Sequence, residues 1–378
     1  MMKSVSRRNL LRIAAIGSVA PAGVRFFHAQ QPPGPKGAPA VPLPLPVVTP
    51  AATRSVVSLV RGEDRRKLIY ESLMAIDQEL APALTRKKYV LIKPNLTSNV
   101  KQLAATHADT LRGILDYLEP RFKGPVVIAE ASSGNTMEGF DNFKYRQAIA
   151  EYRSLKVELI DLNREGNYVT SPLIDTNLQM FPVRLAARLM DPDAFILSAS
   201  ILKTHDCVVA TMGVKNLVMG APLHSPSATP GSVNGQDRWS DKMKFHTGMQ
   251  QPPLGPHLMN YNLCLTAQKL APFWGATVID GLEGMEGDGP VSGTPVPSRI
   301  AIASLDWVAA DRVGVEAMGI DPHWVGYLQY CEQVGIGNYD ISKIEVRGEK
   351  IAAVARKYRL HPNTDRNLQW MAPLVLDR

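Results

Sequence analysis

The feature that most constrains this chain is a long, largely apolar run near its middle. The run spans the nine residues Ala194 to Leu202, and Lys203, Thr204 and His205 follow it directly. An apolar run bounded by polar residues is typical of a strand buried on both faces of a parallel sheet. Such strands deliver their functional groups just beyond their carboxyl ends. The sequence therefore predicts that Lys203 and His205 lie at one edge of a buried sheet.

Lysine and asparagine recur near the ends of predicted buried elements. Tyr89 to Ile92 is a predicted strand followed by Lys93 and Asn95, and Lys215 and Asn216 lie ten residues beyond the first lysine-histidine pair. Taken singly, these lysines could be ordinary exposed charges, because most charged residues lie in solvent. Their recurrence after several strands favours a shared site at the strand ends.

A polar loop follows a third predicted strand, Pro125 to Ala129. Residues Glu130 to Asn135 combine small hydroxyl residues with glycine, a composition that suits a loop whose backbone amides bind an anion. The alternative is a plain turn before a helix, which is the commoner use of such residues.

Strands and helices alternate along the rest of the chain. Residues 63–84, 184–190 and 306–318 are predicted helices, the first because its apolar residues recur at close to helical spacing. This alternation predicts an α/β domain over residues 55–350, with a mostly parallel sheet flanked by helices. Residues 351–378 are expected to form a C-terminal extension.

The stretch from Ala221 to His257 shows no sustained periodicity and is rich in Pro, Gly, Ser and Gln. Segments of this length without regular structure are usually lids or binding loops, or are disordered. We expect a long irregular loop over the strand ends. It carries Lys244 and His246, a second pair in which a lysine precedes a histidine by two residues, so both join the candidate site.

An acidic, glycine-rich run follows the predicted strand Ala276 to Ile279. Asp280, Glu283 and Glu286 are its candidate metal ligands, because carboxylates suit a hard divalent cation. The spacing of calcium-binding loops is absent, and the alternative is that these acids neutralise the lysines. Since the strand is expected to end at the same sheet edge, we predict that the acids face the lysines across a ligand or metal.

The charge of the chain does not favour nucleic acid as a partner. The formal net charge is +7, but five basic residues and no acid lie in the first 29 residues. The remaining 37 basic residues face 35 acidic ones. This small surplus of positive charge does not indicate a surface that binds a polyanion such as nucleic acid.

Residues 1–29 have the form of an export signal. Arg7 and Arg8 precede an apolar stretch, Ile13 to Val24, which is broken by Pro21 and is too short to span a bilayer comfortably. The arrangement resembles a twin-arginine signal, and the alternative is an ordinary Sec signal. We therefore expect export by the twin-arginine machinery to the periplasm or beyond, with no stable membrane span.

A proline-rich tether is predicted to join this leader to the domain. Residues 31–50 contain eight prolines and a single charged residue, Lys36. Such a segment cannot pair as a strand or continue a helix. We expect residues 30–54 to be extended, in the manner of polyproline.

Cysteine usage argues against two kinds of site. Cys207, Cys264 and Cys331 are far apart in the sequence and lack the clustered spacing of structural zinc and iron–sulfur sites. One disulfide in an oxidising compartment is the alternative to buried thiols. No nucleophile elbow, P-loop or dinucleotide fingerprint is present, which excludes the commonest hydrolase, nucleotide and nicotinamide functions.

Taken in order, the short motifs resemble the domain of unknown function 362 family over roughly residues 88–348. The matching pieces are Lys93-Pro94-Asn95, Thr106-His107, Lys203-Thr204-His205, Val214-Lys215-Asn216, Lys244-x-His246, Asp280-Gly281, Glu286-Gly287-x-Gly289-Pro290, and Asp306 with Ala310-Asp311. Many members carry ferredoxin-type cysteine clusters, and this sequence does not, so no iron–sulfur cluster is expected. The family is distantly similar to the amino-terminal domain of nickel-dependent lactate racemases, which implies an α/β domain and an organometallic or other anionic cofactor.

Two functions remain open. The first is an exported enzyme that acts on or with an anionic small molecule or metallo-cofactor, using His205 or His246 as proton carrier. The second is a non-catalytic protein that binds an anion or cofactor in the same pocket. In both, the binding set consists of Lys93, Asn95, Lys203, Lys215, Asn216 and Lys244.

The leader generates a testable expectation. Removal of the signal in the native host should leave a mature chain that begins between about Pro21 and Gln31, and intact-mass measurement of the purified protein checks this. Replacing Arg7 and Arg8 by lysine should block export, because the twin-arginine machinery requires the arginine pair. A full-length cytoplasmic product that this replacement leaves unchanged would contradict it.

Overall fold

The computed structural model of this protein describes residues 54–224, 240–246 and 252–373. The expected leader, nearly all of the expected tether and part of the expected long loop lie outside these residues. Within the described part of the chain, no helix is both long and apolar enough to cross a membrane.

The described residues contain twelve strands and twelve α-helices. The strands are β1 Ser55–Arg61, β2 Tyr89–Pro94, β3 Val126–Glu130, β4 Val157–Asp161, β5 Tyr168–Ile174, β6 Met180–Ala186, β7 Ala194–His205, β8 Val209–Thr211, β9 Trp274–Glu286, β10 Thr294–Val296, β11 Ile300–Ser304 and β12 Ile344–Gly348. The helices are α1 Arg65–Met74, α2 Asp77–Leu84, α3 Ala108–Leu118, α4 Thr136–Asn142, α5 Tyr145–Ile149, α6 Gly213–Gly220, α7 Asp241–Lys244, α8 Leu254–Leu270, α9 Trp307–Ala317, α10 Gly326–Gln333, α11 Ile351–Val354 and α12 Thr364–Asn367.

Eight strands form the body of the main sheet, in the order β12-β1-β11-β9-β7-β2-β3-β4. Neighbours pair in parallel except at β11, which is antiparallel to both β1 and β9. Seven of the eight strands therefore point the same way. Short β8 and β10 add antiparallel pairs to β7 and β9, and β5 and β6 form a separate hairpin. The predicted α/β fold with a mostly parallel sheet is confirmed.

The central strand β7 explains the position of the site. All twelve of its residues are buried, and β2 and β9 flank it in parallel. Hydrophobic clusters cover both faces of the sheet, one around Ile196 and the other around Leu197. Because the carboxyl ends of β2, β3 and β7 meet at one edge, Lys93, Glu130 and Lys203 end there together.

Three predicted elements differ from the structure. Residues 184–190 begin within β6 and end in a short 3₁₀ helix, because the β5 and β6 hairpin, which shows no strong apolar alternation, was missed. The helix predicted for residues 63–84 is two helices that meet near Ala75 and Ile76. The expected irregular loop contains α7 and the beginning of α8.

Helix α6, which carries Lys215, is held at its first turn by a carboxylate from α9. Asp311 accepts hydrogen bonds from the amides of Gly213 and Val214 at 2.8 and 3.0 Å. These amides have no partner within the helix, so the acid acts as a distant cap. Asp311 is fully buried, and burial raises the pKa of its carboxyl group to about 8. The sequence does not show that this acid caps a helix distant from it in the chain.

Replacing Asp311 by alanine should destabilise the protein. The change leaves two buried amides without an acceptor, which costs on the order of 2 to 5 kcal/mol of unfolding free energy. Urea denaturation followed by circular dichroism measures it. Glu316→Gln is the matched control on the same helix, because it removes only the charge of the carboxylate that pairs with Arg312 and leaves an oxygen that can still accept, so it should cost less than Asp311→Ala. Equal losses in the two variants would contradict the capping role.

Candidate functional site

A cavity of about 140 Å³ opens at the carboxyl edge of the sheet, between the strand ends and helices α6 and α7. Four lysines line it, and all four are buried: Lys93, Lys203, Lys215 and Lys242. His205, His246, Asn95, Asn216 and Glu130 also line the cavity. The structure thus brings together most of the residues that the sequence placed at the strand ends.

Lys93 lies at the end of β2 and is the one cavity lysine paired with a buried carboxylate among the described residues. Its Nζ donates to Oε2 of Glu130 at 2.6 Å and to Oδ1 of Asn216 at 3.0 Å. Burial lowers the pKa of the ammonium group, although Glu130 opposes this. A Cβ on Gly220 would lie 1.9 Å from Cε of Lys93, so only glycine at this position leaves room for the side chain.

Lys203 lies near the end of β7 and bonds to neutral oxygens. Its Nζ donates to Oδ1 of Asn95 at 2.6 Å and more weakly to Oγ1 of Thr97 at 3.3 Å. Burial, with repulsion from Lys215 and Lys93, lowers the pKa of this ammonium group to about 7. An ammonium group with neutral acceptors only is open to an added anion.

Lys215, His205 and Asp206 form a chain of charge and hydrogen bonds. Nζ of Lys215 lies 2.7 Å from Nε2 of His205, and Nδ1 of His205 lies 2.9 Å from Oδ1 of Asp206. The amide of Cys207 approaches the same Nδ1 as a donor at 3.0 Å, whereas an ionised carboxylate can only accept, so the two groups compete for this nitrogen. We assign the ring proton to Nδ1 because the contact with Asp206 is charge-assisted, which leaves Nε2 to accept from Lys215.

The charge states of this chain follow from burial. Burial and the nearby Lys215 lower the pKa of His205 to about 3, so its ring is neutral near pH 7. Burial lowers the pKa of Lys215 to about 8. Burial raises the pKa of Asp206, but the bond to His205 outweighs it and holds the pKa well below its usual range. Lys215, rather than His205, is therefore the member that titrates near neutrality.

Helix α7 places Lys242 in the cavity and turns Lys244 away from it. Nζ of Lys242 donates to the carbonyl of Met219 at 2.7 Å, and burial lowers its pKa to about 7. Lys244 instead pairs with the buried Asp241 at 2.9 Å, and its side chain is 44% exposed. The expectation for Lys244 as a cavity residue was wrong, because neighbours two apart on a helix face different directions.

His246 does line the cavity, as expected. Its Nδ1 lies 3.1 Å from the carbonyl of Lys242. Burial, then Lys215, lower the pKa of its ring. Like His205, it is therefore a weaker base than an exposed histidine.

The structure does not place the acids of β9 opposite the lysines. Asp280 is bonded to Arg65 at 2.9 Å and to Thr110 at 2.5 Å in a second cavity, Glu283 is largely exposed, and Glu286 accepts from the amide of Arg359. The glycines do not end the strand, since β9 continues to residue 286. Its pairing with β7 is irregular there, because Ile201 pairs with Asp280 but Lys203 pairs with Met285. The predicted facing arrangement was wrong because the acids bond to arginines outside the lysine cavity.

Glu130 supplies the counter-charge that the sequence assigned to those acids. It is 2% exposed, and its Oε1 also accepts from the amide of Ala131 at 2.9 Å. Ser132 in the following loop lines the cavity, but its hydroxyl donates to the carbonyl of Leu96 and its amide to Thr136. These internal bonds agree better with a plain turn than with a loop whose backbone amides are available to bind an anion.

His205, Asp206 and Cys207 offer ligand atoms within 4.8 Å of one another, close enough for one metal ion to contact all three. Their present bonding does not fit a resident metal. Both ring nitrogens of His205 face other side chains, Nζ of Lys215 and the carboxylate of Asp206. The three residues suit a proton-transfer chain better.

The sequence matches the family described as "Domain of unknown function (DUF362)" over residues 90–316. A thylakoid-associated protein of Synechocystis is 24% identical over 249 residues, which are 65% of this chain and 68% of that protein.

Two solved structures resemble the fold. The lactate racemase apoprotein from Thermoanaerobacterium thermosaccharolyticum aligns with a TM-score of 0.43 and 14% identity, covering 69% of this chain and 57% of that one. A Thermotoga maritima protein aligns with a TM-score of 0.39 and 12% identity, covering 72% and 59%. This chain therefore spans less than two thirds of either structure.

The buried lysines generate a prediction about pH. Unfolded lysine titrates near about 10.4, whereas Lys203, Lys215 and Lys242 titrate at about 7, 8 and 7 when folded. The unfolded chain then binds more protons than the folded one at these lysines between these values. Asp311, whose pKa in the folded protein is about 8, acts in the opposite sense below that pH, so stability rises with pH from about 8 to about 9. Each lysine adds up to about 1.4 kcal/mol per pH unit. Urea midpoints across this range measure the slope.

Lys242→Met should flatten that slope, because it removes one of the buried amines. Lys244→Met is the control and should leave the slope unchanged, since its ammonium group is partly exposed and paired with Asp241. A slope that is flat in the native protein, or that the Lys242 variant does not alter, would show that the lysines keep their ordinary pKa values.

Proposed function

We propose that this chain, which belongs to the DUF362 family, is an enzyme and that it binds a small anionic molecule between its buried lysines. The observation that carries the proposal is the charge balance of the cavity. Four lysines line it, and the buried Glu130 is the carboxylate among the described residues that pairs with one of them. Several buried cations repel one another unless an anion balances them.

The polar partners of the lysines support an open anion site. Lys203 and Lys242 bond to amide, hydroxyl or carbonyl oxygens rather than to carboxylates. An added negative group would stabilise their charged forms in this buried setting. The cavity of about 140 Å³ suits a small ligand such as phosphate or a short carboxylate better than a nucleotide or a lipid.

The relay from Asp206 through His205 to Lys215 favours an enzyme over the alternative, a non-catalytic binding protein. Anion binding requires only the cations. A neutral imidazole that is held between a carboxylate and an amine is instead the arrangement used to move a proton. Lys215 would exchange that proton with the ligand, and Asp206 would orient the ring.

The proposal includes export, as indicated by Arg7 and Arg8 in the leader. Transport of the folded chain through the twin-arginine pathway would deliver the assembled site to the periplasm. The metal assignment of Asp280, Glu283 and Glu286 is not part of it, because those acids lie apart from the lysines.

Calorimetric titration tests the anion site. The native protein should bind inorganic phosphate or lactate, and Lys203→Ala should weaken binding roughly tenfold to two-hundredfold, which corresponds to about 1.5 to 3 kcal/mol for a charge-assisted hydrogen bond. Lys244→Ala removes a lysine on the neighbouring helix that faces away from the cavity, and it should bind like the native protein.

Two results would contradict the proposal. The first is an absence of binding for every small anion tried. The second is an equal loss in the Lys203 and Lys244 variants, because a general surface attraction would be shared by both. The titration should be repeated at higher salt, which weakens exposed charges far more than buried ones.

A further inference from the structure

We propose that Lys215 is an amine nucleophile and that the anion is an oxo acid, whose carbonyl group this lysine captures as an imine. The inference rests on the proposed function, because the other cavity lysines are needed to hold the carboxylate of that ligand. It goes beyond anion binding, since it names both a covalent step and a class of substrate.

The three residues Lys215, His205 and Asp206 have the geometry of an activated nucleophile. The nucleophile and its base lie 2.7 Å apart, and the base lies 2.9 Å from the acid that orients it. A nucleophile within hydrogen-bond reach of a base, with the base held by a third group, is the arrangement that recurs in covalent catalysis. Here an amine takes the place that serine or cysteine has in hydrolases.

The bonding partners distinguish Lys215 from the other cavity lysines. Lys93 is paired with the carboxylate of Glu130, which favours its charged form. Lys203 donates to the amide oxygen of Asn95 and to the hydroxyl group of Thr97. Lys242 donates to a backbone carbonyl. Among the described residues, only Lys215 in this cavity faces a nitrogen base. Although burial lowers the pKa values of Lys203 and Lys242 further, neither has a group that could take its proton.

The surroundings fix this amine in position. Lys215 lies on the first turn of α6, whose amides are held by Asp311. Burial lowers the pKa of Lys215 to about 8, so a substantial neutral fraction exists near neutral pH. Lys203 lines the same cavity and can bind the carboxylate next to the reacting carbonyl group.

The step balances without an added oxidant or reductant. The nitrogen lone pair of the neutral amine attacks the carbonyl carbon, a C–N bond forms, and the C=O π electrons move to the oxygen. One amine proton passes to that oxygen through Nε2 of His205 and gives a carbinolamine. The C–O bond then breaks, and the hydroxyl group leaves as water with the proton that Lys215 gave up when its ammonium form became the neutral amine. The product is a protonated imine that carries the positive charge of the original ammonium form.

Borohydride trapping tests the inference. The full-length protein is incubated with pyruvate and sodium cyanoborohydride, and peptide mass mapping locates the reduced adduct. One adduct on Lys215 is expected, and lactate, which has no carbonyl group, should give none. Lys215→Arg retains the charge but removes the nucleophile, so it should lose the adduct. Lys244→Ala should form the adduct like the native protein.

A second measurement separates activation from simple proximity. Asp206→Asn should slow adduct formation on the order of a hundredfold, because His205 loses the acid that orients it. It should also shift the pH profile downward, because the charge of Asp206 raises the pKa of Lys215 and its removal lowers that pKa. A merely structural role for Asp206 would change folding without moving the pH profile.

The outcomes for the two proposals are distinct. Adducts spread over exposed lysines, an adduct at Lys203 or Lys242, or no adduct with phosphate binding retained would each overturn the covalent step and leave the anion site standing. Failure to bind any small anion would overturn both. Peptide mass mapping of the adduct on the native protein tests the covalent step even if a variant fails to fold.

Discussion

The burial of four lysine side chains around one carboxylate is the constraint on which the rest of this structure depends. Charged groups inside a protein are costly unless they are paired or hydrogen-bonded. Among the described residues, only Lys93 of these four lysines is paired with Glu130. Asn216 also accepts from Lys93, and Asn95 accepts from Lys203. Such a site is unfavourable for the empty protein, so the sheet and its flanking helices must hold it together. Destabilised, pre-organised sites of this kind are characteristic of functional rather than structural clusters.

The supports of the site are local and specific. Gly220 leaves the space that Lys93 occupies, and Asp311 fixes the start of the helix that carries Lys215. Asp241 is fully buried and accepts from the backbone and side chain of Arg184, which anchors the segment that carries Lys242. Each lysine is thus positioned by a different element, and the parallel sheet brings these elements to one edge.

Because some of these lysines lie on strands and others on helices, only part of the site could be predicted from the sequence. Lys93 and Lys203 follow apolar runs, and the rule that parallel strands end at one edge placed them together. The rule does not predict which residues of a helix face the cavity. In the structure, the four-residue helix α7, which Ser240 caps, places Lys242 rather than Lys244 in the cavity. Nor does the rule predict where a glycine-rich strand ends. The acids of β9 were misplaced because the strand continues through its glycines, which a sequence pattern treats as a turn.

The relay from Asp206 through His205 to Lys215 was missed for a different reason, and it bears on whether His205 could hold a metal. Asp206 is adjacent to His205, and adjacent residues on a strand point to opposite faces, so their side chains meet only because β7 ends there. A metal ion bound to His205 would need a ring nitrogen. Nε2 serves Lys215 and Nδ1 serves Asp206, so a metal would have to displace one of them. A resident metal and an activated amine therefore compete for the same histidine, and the geometry of this chain favours the amine.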